Sequence, residues 1–258
     1  SFLSRKDGRY QMKQERLDKI LSHHGFGTRK DAKFIILEGR VKVNGRICYI
    51  PEYHVTLEMD SISVDEKNLE LRQHIYLMMN KPGGVICSNK DGIHKTVFDL
   101  LDERLHQEFL GGSLHMIGRL DLDTEGLLLL TTDGSLTHKL TSPKKNIPKT
   151  YFIKLENSVP TEMQPIISRR FAEGIHIAPE GDDGEYDCKP SNLNWLSEDT
   201  CTLVITEGRY HQVKRMIAAA GNKVAYLKRT VVNKLPLDIS LQPGEYRELT
   251  AKELSLLN

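Results

Sequence analysis

The spacing of apolar residues changes register several times along the chain, and each change predicts an element. Leu17, Ile20, Leu21 and His24 recur at helical intervals over residues 15–25, and Gly25 can end that helix. A second helix starts at Thr28, with Asp31 three residues on as a capping-box acid. It carries Ala32, Ile35 and Ile36 on one face and stops near Gly39. Val41-Lys42-Val43 then alternates, Asn44-Gly45 turns and Ile47 follows, which predicts a β-hairpin. Two short helices and a small sheet bury little core, so this stretch reads as a small appended domain over 13–71.

After a polar linker at 66–74 the pattern shifts to continuous apolar runs. Residues 75–79 and 85–88 predict strands on either side of Asn80-Lys81-Pro82-Gly83-Gly84, and 96–101 a short helix. Leu127-Leu128-Leu129-Leu130 followed by Thr131-Thr132 predicts a fully buried strand, closed by the turn Asp133-Gly134. A helix over 135–140, strands at 150–155 and 201–206, and an amphipathic helix over 160–173 follow. Residues 178–188 are Gly- and Asp-rich and predict a surface loop without a metal pattern, and Trp195 reads as packing. A last helix begins at Glu207 and runs to Gly221. Val213, Met216, Ile217 and Ala220 form its apolar face, leaving His211, Lys214 and Arg215 opposite. The whole is an α+β chain, with its second domain over 75–258.

Composition fits an ordinary folded core: 39% of the 258 residues are hydrophobic and 28% charged. No apolar run approaches the ~18 residues that span a bilayer, and residues 1–11 lack the apolar core of an export signal. Met12 is a candidate start, with 1–12 a disordered extension. Cys48, Cys87, Cys188 and Cys201 are scattered without a Cys-x-x-Cys pair, which fits a reducing cytoplasm and no zinc site. Net charge is only +1, so its distribution matters more than its sum. Residues 19–46 hold seven Lys/Arg against two acids, and 47–71 hold one Lys against six acids. The first run, with Arg29, Lys30, Lys33, Arg40, Lys42 and Arg46, predicts a phosphate-binding face; a solvated helix face is the plainer reading. Lys139, Lys144, Lys145 and Lys149 predict a basic loop kept extended by Pro143 and Pro148. Six Lys/Arg and no acid lie between Arg209 and Arg229.

The polar string before the leucine strand, Gly118-Arg119-Leu120-Asp121-Leu122-Asp123-Thr124-Glu125-Gly126, is poor packing material and suits a site where a carboxylate meets a substrate. Its Gly-Arg-Leu-Asp-x-x-Thr-x-Gly-Leu pattern resembles the active-site motif of the pseudouridine synthases, whose nucleophilic aspartate maps onto Asp121, with Asp123 at a variable position. Asn-Lys-Pro-x-Gly at 80–84, Pro-Lys-Thr-Tyr at 148–151, Glu-Gly-Arg-x-His-Gln-Val-Lys-Arg-Met at 207–216 and the segments 227–229 and 241–249 resemble the other motifs of that family, in order. The Tyr-His-Gln-Val-Lys-Arg-Met version resembles the RsuA-type subfamily, which acts on one uridine of small-subunit ribosomal RNA. Arg-Leu-Asp-Lys at 16–19, Gly-x-x-x-Arg-Lys at 25–30 and Val-x-Val-Asn-Gly at 41–45 resemble the S4-like RNA-binding domain. One departure is Asn233-Lys234, where the family usually has Gly-Gly.

The resemblance implies a larger domain with a mixed, mainly antiparallel sheet and flanking helices. It implies Asp121 as nucleophile or base, Lys214 as the cation that keeps it ionised, and Tyr151 as a residue that stacks on an everted uracil or moves a proton. Arg119, Arg209, His211 and Arg215, with Arg29, Lys30 and Arg40 of the first domain, are the expected RNA contacts. The reaction breaks the ribose–nitrogen bond, turns the base and rejoins it through carbon, so no cofactor or metal is implied. The expected partner is ribosomal RNA or a small-subunit precursor, with no membrane, in the cytoplasm, and the chain is expected to be a monomer. Other readings stay open at this stage: an RNA-binding assembly factor without chemistry, a synthase acting on large-subunit RNA, or a metal-dependent nuclease using Asp121, Asp123 and Glu125.

Overall fold

The computed structural model describes residues 3–6, 9–12, 14–57, 59–71, 74–106, 108–109 and 112–258. The chain divides into two compact units, one of residues 1–75, 101–115 and 131–133, the other of 76–100, 116–130 and 134–258.

In the first unit, helices α1 (Leu17–His23) and α2 (Arg29–Leu37) precede strands β1 (Val41–Val43), β2 (Arg46–Ile47), β3 (Ile62–Val64) and β4 (Lys67–Asn68). The strands form an antiparallel sheet in the order β2-β1-β3-β4, so the start of the expected linker belongs to a strand. Both local signals work as read. Thr28 Oγ1 accepts from the Asp31 amide at 3.3 Å, and Asp31 Oδ2 accepts from the Thr28 amide at 2.8 Å. Asn44 and Gly45 take φ of 50° and 76°, the left-handed pair of a two-residue hairpin turn. Leu17, Ile20, Leu21, Ala32 and Ile36 pack with Val41, Val43, Ile62 and Val64 in one core. Leu3–Lys6 pairs antiparallel with Arg9–Met12, in the stretch expected to be a disordered extension.

The charge reading needs correction here. Most of the cations in 19–46 face acids from neighbouring segments: Lys33 meets Glu52 at 3.4 Å, Arg40 meets Asp65 at 2.7 Å, and Lys42 meets Glu66 at 2.5 Å. Arg29 reaches the fully buried Asp18 carboxylate at 3.2 Å. The hairpin explains this, because Asp65 and Glu66 form the β3–β4 turn beside β1. Arg29 and Arg40, both expected to hold RNA, are thus committed to carboxylates. Among the described residues, Lys30 is exposed and makes no ion pair.

The second unit is built on a mixed sheet. Its strands are β5 (Tyr76–Lys81), β6 (Glu125–Thr131), β7 (Lys149–Leu155), β8 (Asn192–Trp195), β9 (Thr200–Ile205), β10 (Val224–Val232) and β11 (Tyr246–Glu248), in the order β8-β9-β7-β10-β6-β5-β11. Helices α3 (Gly134–Thr141), α4 (Gln164–Glu173) and α5 (Gln212–Ala219) flank it. The pairs β8–β9, β9–β7, β7–β10 and β5–β11 are antiparallel; β6–β10 is parallel. Leu127 to Leu130 are all buried, as a run that packs both faces of a strand requires.

Four sequence expectations fail locally. Residues 85–88 form no strand, only a bridge from Ile86 to Thr96. Residues 143–145 make a tight helical turn closed by Asn146 at φ 49°, not an extended segment. Helix α4 starts at Gln164, after a turn that follows Pro160. Helix α5 starts at Gln212, because His211 sits in left-handed backbone at φ 46° and breaks any helix from Glu207. At the family's Gly-Gly position, Asn233 supplies the left-handed residue at φ 55°.

Gly126 is where the parallel pair is closest. It lies opposite Arg229 with φ 102°, and a Cβ there would sit 2.2 Å from the Arg229 carbonyl oxygen. Gly126→Ala is expected to cost about 3 kcal/mol, from backbone strain and overpacking together. Denaturant unfolding measures this, and an unchanged midpoint would refute the close approach.

Candidate active site

Asp121 sits on the turn between His115–Ile117 and β6. That turn is fixed from below by Lys81, a fully buried side chain at the end of β5. Its Nζ donates to the carbonyls of Thr124 at 2.8 Å, Pro82 at 3.0 Å and Leu122 at 3.3 Å. Burial loosens the Lys81 proton, while nearby acids including Asp123, Asp121 and Glu125 oppose that. The sequence marks this lysine as part of a turn and of the Asn-Lys-Pro-x-Gly motif, with no role assigned to it. The signal it carries is a cation at the end of an apolar strand, which must find internal acceptors if buried.

Lys214, on the first turn of α5, reaches across to this loop. Its Nζ lies 3.3 Å from Asp121 Oδ2 and 2.6 Å from Asp123 Oδ1. The cation and carboxylate singled out from the sequence are therefore adjacent. The shorter bond, however, goes to Asp123, which the sequence reading set aside. Burial works against the Asp123 carboxylate, but the Lys214 hydrogen bond and charge more than offset it, so its carboxyl titrates below the usual range. The same two acids hold the Lys214 proton more tightly than burial alone would allow. One ammonium is thus shared between two carboxylates, Asp121 and Asp123.

Asp121 and Lys214 line a cavity of about 430 Å³. Tyr151 enters it from β7, only 8% exposed, with its backbone in register with Arg229. Arg229 is itself buried and donates through Nε to the Leu127 carbonyl at 2.9 Å. Lys149, two residues before Tyr151, lines the same space; burial and then the Arg229 charge push its ammonium down to about 8. The sequence counts Lys149 and Arg229 in basic runs and inside the 148–151 and 227–229 motifs, with no role assigned to either. The strand pairing β7–β10 brings them together, and no local pattern announces it.

The remaining expected contacts divide. Arg119 is exposed at the cavity wall. Arg209 also lines the wall, with its guanidinium 3.7 Å from the centre of the Tyr186 ring. His211 lies with Nε2 3.8 Å from Asp121 Oδ1 and Nδ1 3.0 Å from Glu180 Oε1. Arg215, expected to contact RNA, is instead buried. Its guanidinium donates to the carbonyls of Ala178, Gly184 and Tyr210 and pairs with Asp183. The segment 178–188 is accordingly no idle loop. His176–Ile177 pairs with Tyr186–Asp187, and the turn between them is pinned to α5 by Arg215 and His211. Among the described residues no cluster of three or more His, Cys, Asp or Glu could hold a metal ion.

Comparison with known proteins gives the family. The family described as RNA pseudouridylate synthase matches residues 75–219, and the S4 domain family matches 15–62. A Bacillus subtilis protein named as an uncharacterized RNA pseudouridine synthase, YtzG, is 42% identical over 94% of this chain and 98% of its own length. Ribosomal small subunit pseudouridine synthase A of Haemophilus influenzae is 40% identical over 94% of this chain and 99% of its own. A solved structure titled as that of a pseudouridylate synthase covers 94% of this chain and 99% of its own, at 40% identity and a TM-score of 0.63. This chain belongs to the RNA pseudouridylate synthase family, whose members isomerise uridine to pseudouridine, and it carries an amino-terminal S4 domain.

Proposed function

We propose that this enzyme converts one uridine of small-subunit ribosomal RNA to pseudouridine, with the Asp121 carboxylate attacking or deprotonating the everted nucleoside. The observation that carries this is the Asp121–Lys214 contact of 3.3 Å at the wall of a cavity large enough for a nucleobase. The name of the Haemophilus influenzae relative supports the small subunit as target. The carboxylate must stay ionised to act, and an adjacent ammonium favours that form.

Everting a base costs roughly a few kcal/mol of stacking and pairing. Stacking on an aromatic ring returns about 1–3 kcal/mol, and Tyr151 is one of the rings that line the cavity. Arg119 and Arg209 are placed at the wall to meet backbone phosphates, which position RNA without reading sequence. Lys149 and Arg229 give the cavity floor a positive potential that favours a base losing its ribose as an anion. Residues 13–71 add RNA contacts, with Lys30 available, while 75–258 do the chemistry. The substrate is ribosomal RNA or a subunit precursor in the cytoplasm, and the enzyme works as a monomer. None of the described helices is long and apolar enough to cross a membrane.

Asp121→Asn is expected to lower pseudouridine formation by at least about three orders of magnitude, with RNA affinity retained; full activity in that variant refutes the site. Mapping pseudouridine along ribosomal RNA from cells with and without the gene is expected to show one small-subunit position lost. Loss at a large-subunit position instead overturns the target, and no loss anywhere points to an assembly factor without chemistry. A third expectation concerns pH. The Lys149 ammonium is charged below about 8 and neutral above it, so RNA affinity should fall as pH rises through that value. Lys149→Arg should remove this fall, since a guanidinium keeps its charge. Wild-type affinity that is flat from pH 7 to 9 refutes it.

A further inference from the structure

We propose that His211 is the base that takes the proton from uracil C5, with Glu180 as the residue that positions its ring; this rests on Asp121 being the reacting carboxylate of an isomerase. The chemistry requires such a base. When C5 bonds to ribose C1′ it holds both the new bond and its original hydrogen. The C5–H electron pair must return to the ring as the C5–C6 double bond, and the proton must leave to an acceptor. N1, released from the ribose with the electron pair of the broken bond, takes up a proton. One proton leaves carbon and one reaches nitrogen, so atoms and electrons balance with no co-reactant.

Three observations single out His211. First, its Nδ1 lies 3.0 Å from Glu180 Oε1. An ionised carboxylate only accepts hydrogen bonds, so Nδ1 bears the hydrogen and the neutral ring presents its lone pair at Nε2. This is the division of roles by which a carboxylate prepares a histidine as a base. Second, Nε2 lies 3.8 Å from Asp121 Oδ1. That is beyond hydrogen-bond reach, which leaves the nitrogen beside the reacting carboxylate and free to meet a substrate atom. Third, the ring is held in place. His211 adopts left-handed backbone at φ 46° just before α5, and its ring stacks on Tyr210 at 3.8 Å between centroids.

The other groups in the cavity serve less well. Lys214 Nζ donates to Asp123 and Asp121. Lys149 Nζ donates to the carbonyls of Glu207 at 3.3 Å and Ile147 at 3.4 Å. A phenol such as Tyr151 accepts a proton only after losing its own. His211 alone of these has an orienting carboxylate on one nitrogen and an uncommitted second nitrogen facing the reacting group.

The test is chemical rescue. His211→Gly keeps the left-handed backbone without strain and opens room beside Asp121. Isomerisation in single turnover is expected to fall by about 10²–10⁴-fold, and added imidazole is expected to restore it in proportion to its neutral form. Glu180→Gln, which leaves His211 in place, should lower the rate less. His211→Asn, also at home in left-handed backbone, should show a larger isotope effect than wild type on RNA carrying 5-deuterated uridine at the target. A wild-type rate in His211→Gly, or no rescue together with a wild-type isotope effect in His211→Asn, overturns the proposal. If Asp121→Asn is inactive while that happens, only the role of His211 falls; if Asp121→Asn is active, the site itself is wrong.

Discussion

A buried ammonium underlies the whole site. Lys81 is withdrawn from water and makes its hydrogen bonds to three backbone carbonyls, two of them in the loop that carries Asp121 and Asp123. Burying a charge is costly unless every donor finds a partner, and here the partners lie on the segment that must be held still. A loop with two free acids at its tip would otherwise be pushed outward by their mutual repulsion. One fixed cation beneath it and one, Lys214, across from it hold the carboxylates in place.

The sheet then decides which residues meet that loop. Because β6 and β10 run parallel, the segments that lead into them lie at the same end of the pair. The Asp121 loop leads into β6 and α5 leads towards β10, so residues 121 and 214 meet although far apart in sequence. Gly126 allows the two strands to close, and the same approach sets Arg229 under the cavity beside Lys149 and Tyr151. The Asp121 loop and the Tyr151–Arg229 pairing are brought to one cavity by this parallel contact within a mostly antiparallel sheet.

What could be read beforehand was local or carried by motif. The Thr28–Asp31 cap, the Asn44-Gly45 turn and the leucine strand depend on residues a few positions apart. The ordered motifs gave Asp121, Tyr151 and Lys214, which the structure brings to one cavity. Misreadings came from interactions across long stretches of chain. The cations of 19–46 read as a binding face because their partners, Glu52, Asp65 and Glu66, come later in the chain. Arg215 lies off the apolar stripe of α5, yet its long side chain reaches the carbonyls of a turn some thirty residues earlier. No helical wheel contains that turn. The motif at 80–84 includes Lys81, but its contacts with Leu122 and Thr124 lie some forty residues on, as the Glu180–His211 contact spans thirty-one.

The bond from Lys214 to Asp123 bears on how the site works. Asp123 is 71% exposed, whereas Asp121 is 31% exposed and faces the cavity. An ion pair to a solvated carboxylate is worth about 0–1 kcal/mol, so Lys214 gives up little by turning towards Asp121. Entry of RNA excludes water from the cavity and strengthens attraction at Asp121 more than at the exposed acid. The short contact to Asp123 therefore keeps the ammonium close to the loop without competing strongly for it. A lysine suits this better than an arginine, since its ammonium can swing between two acceptors where a planar fork would lock onto one.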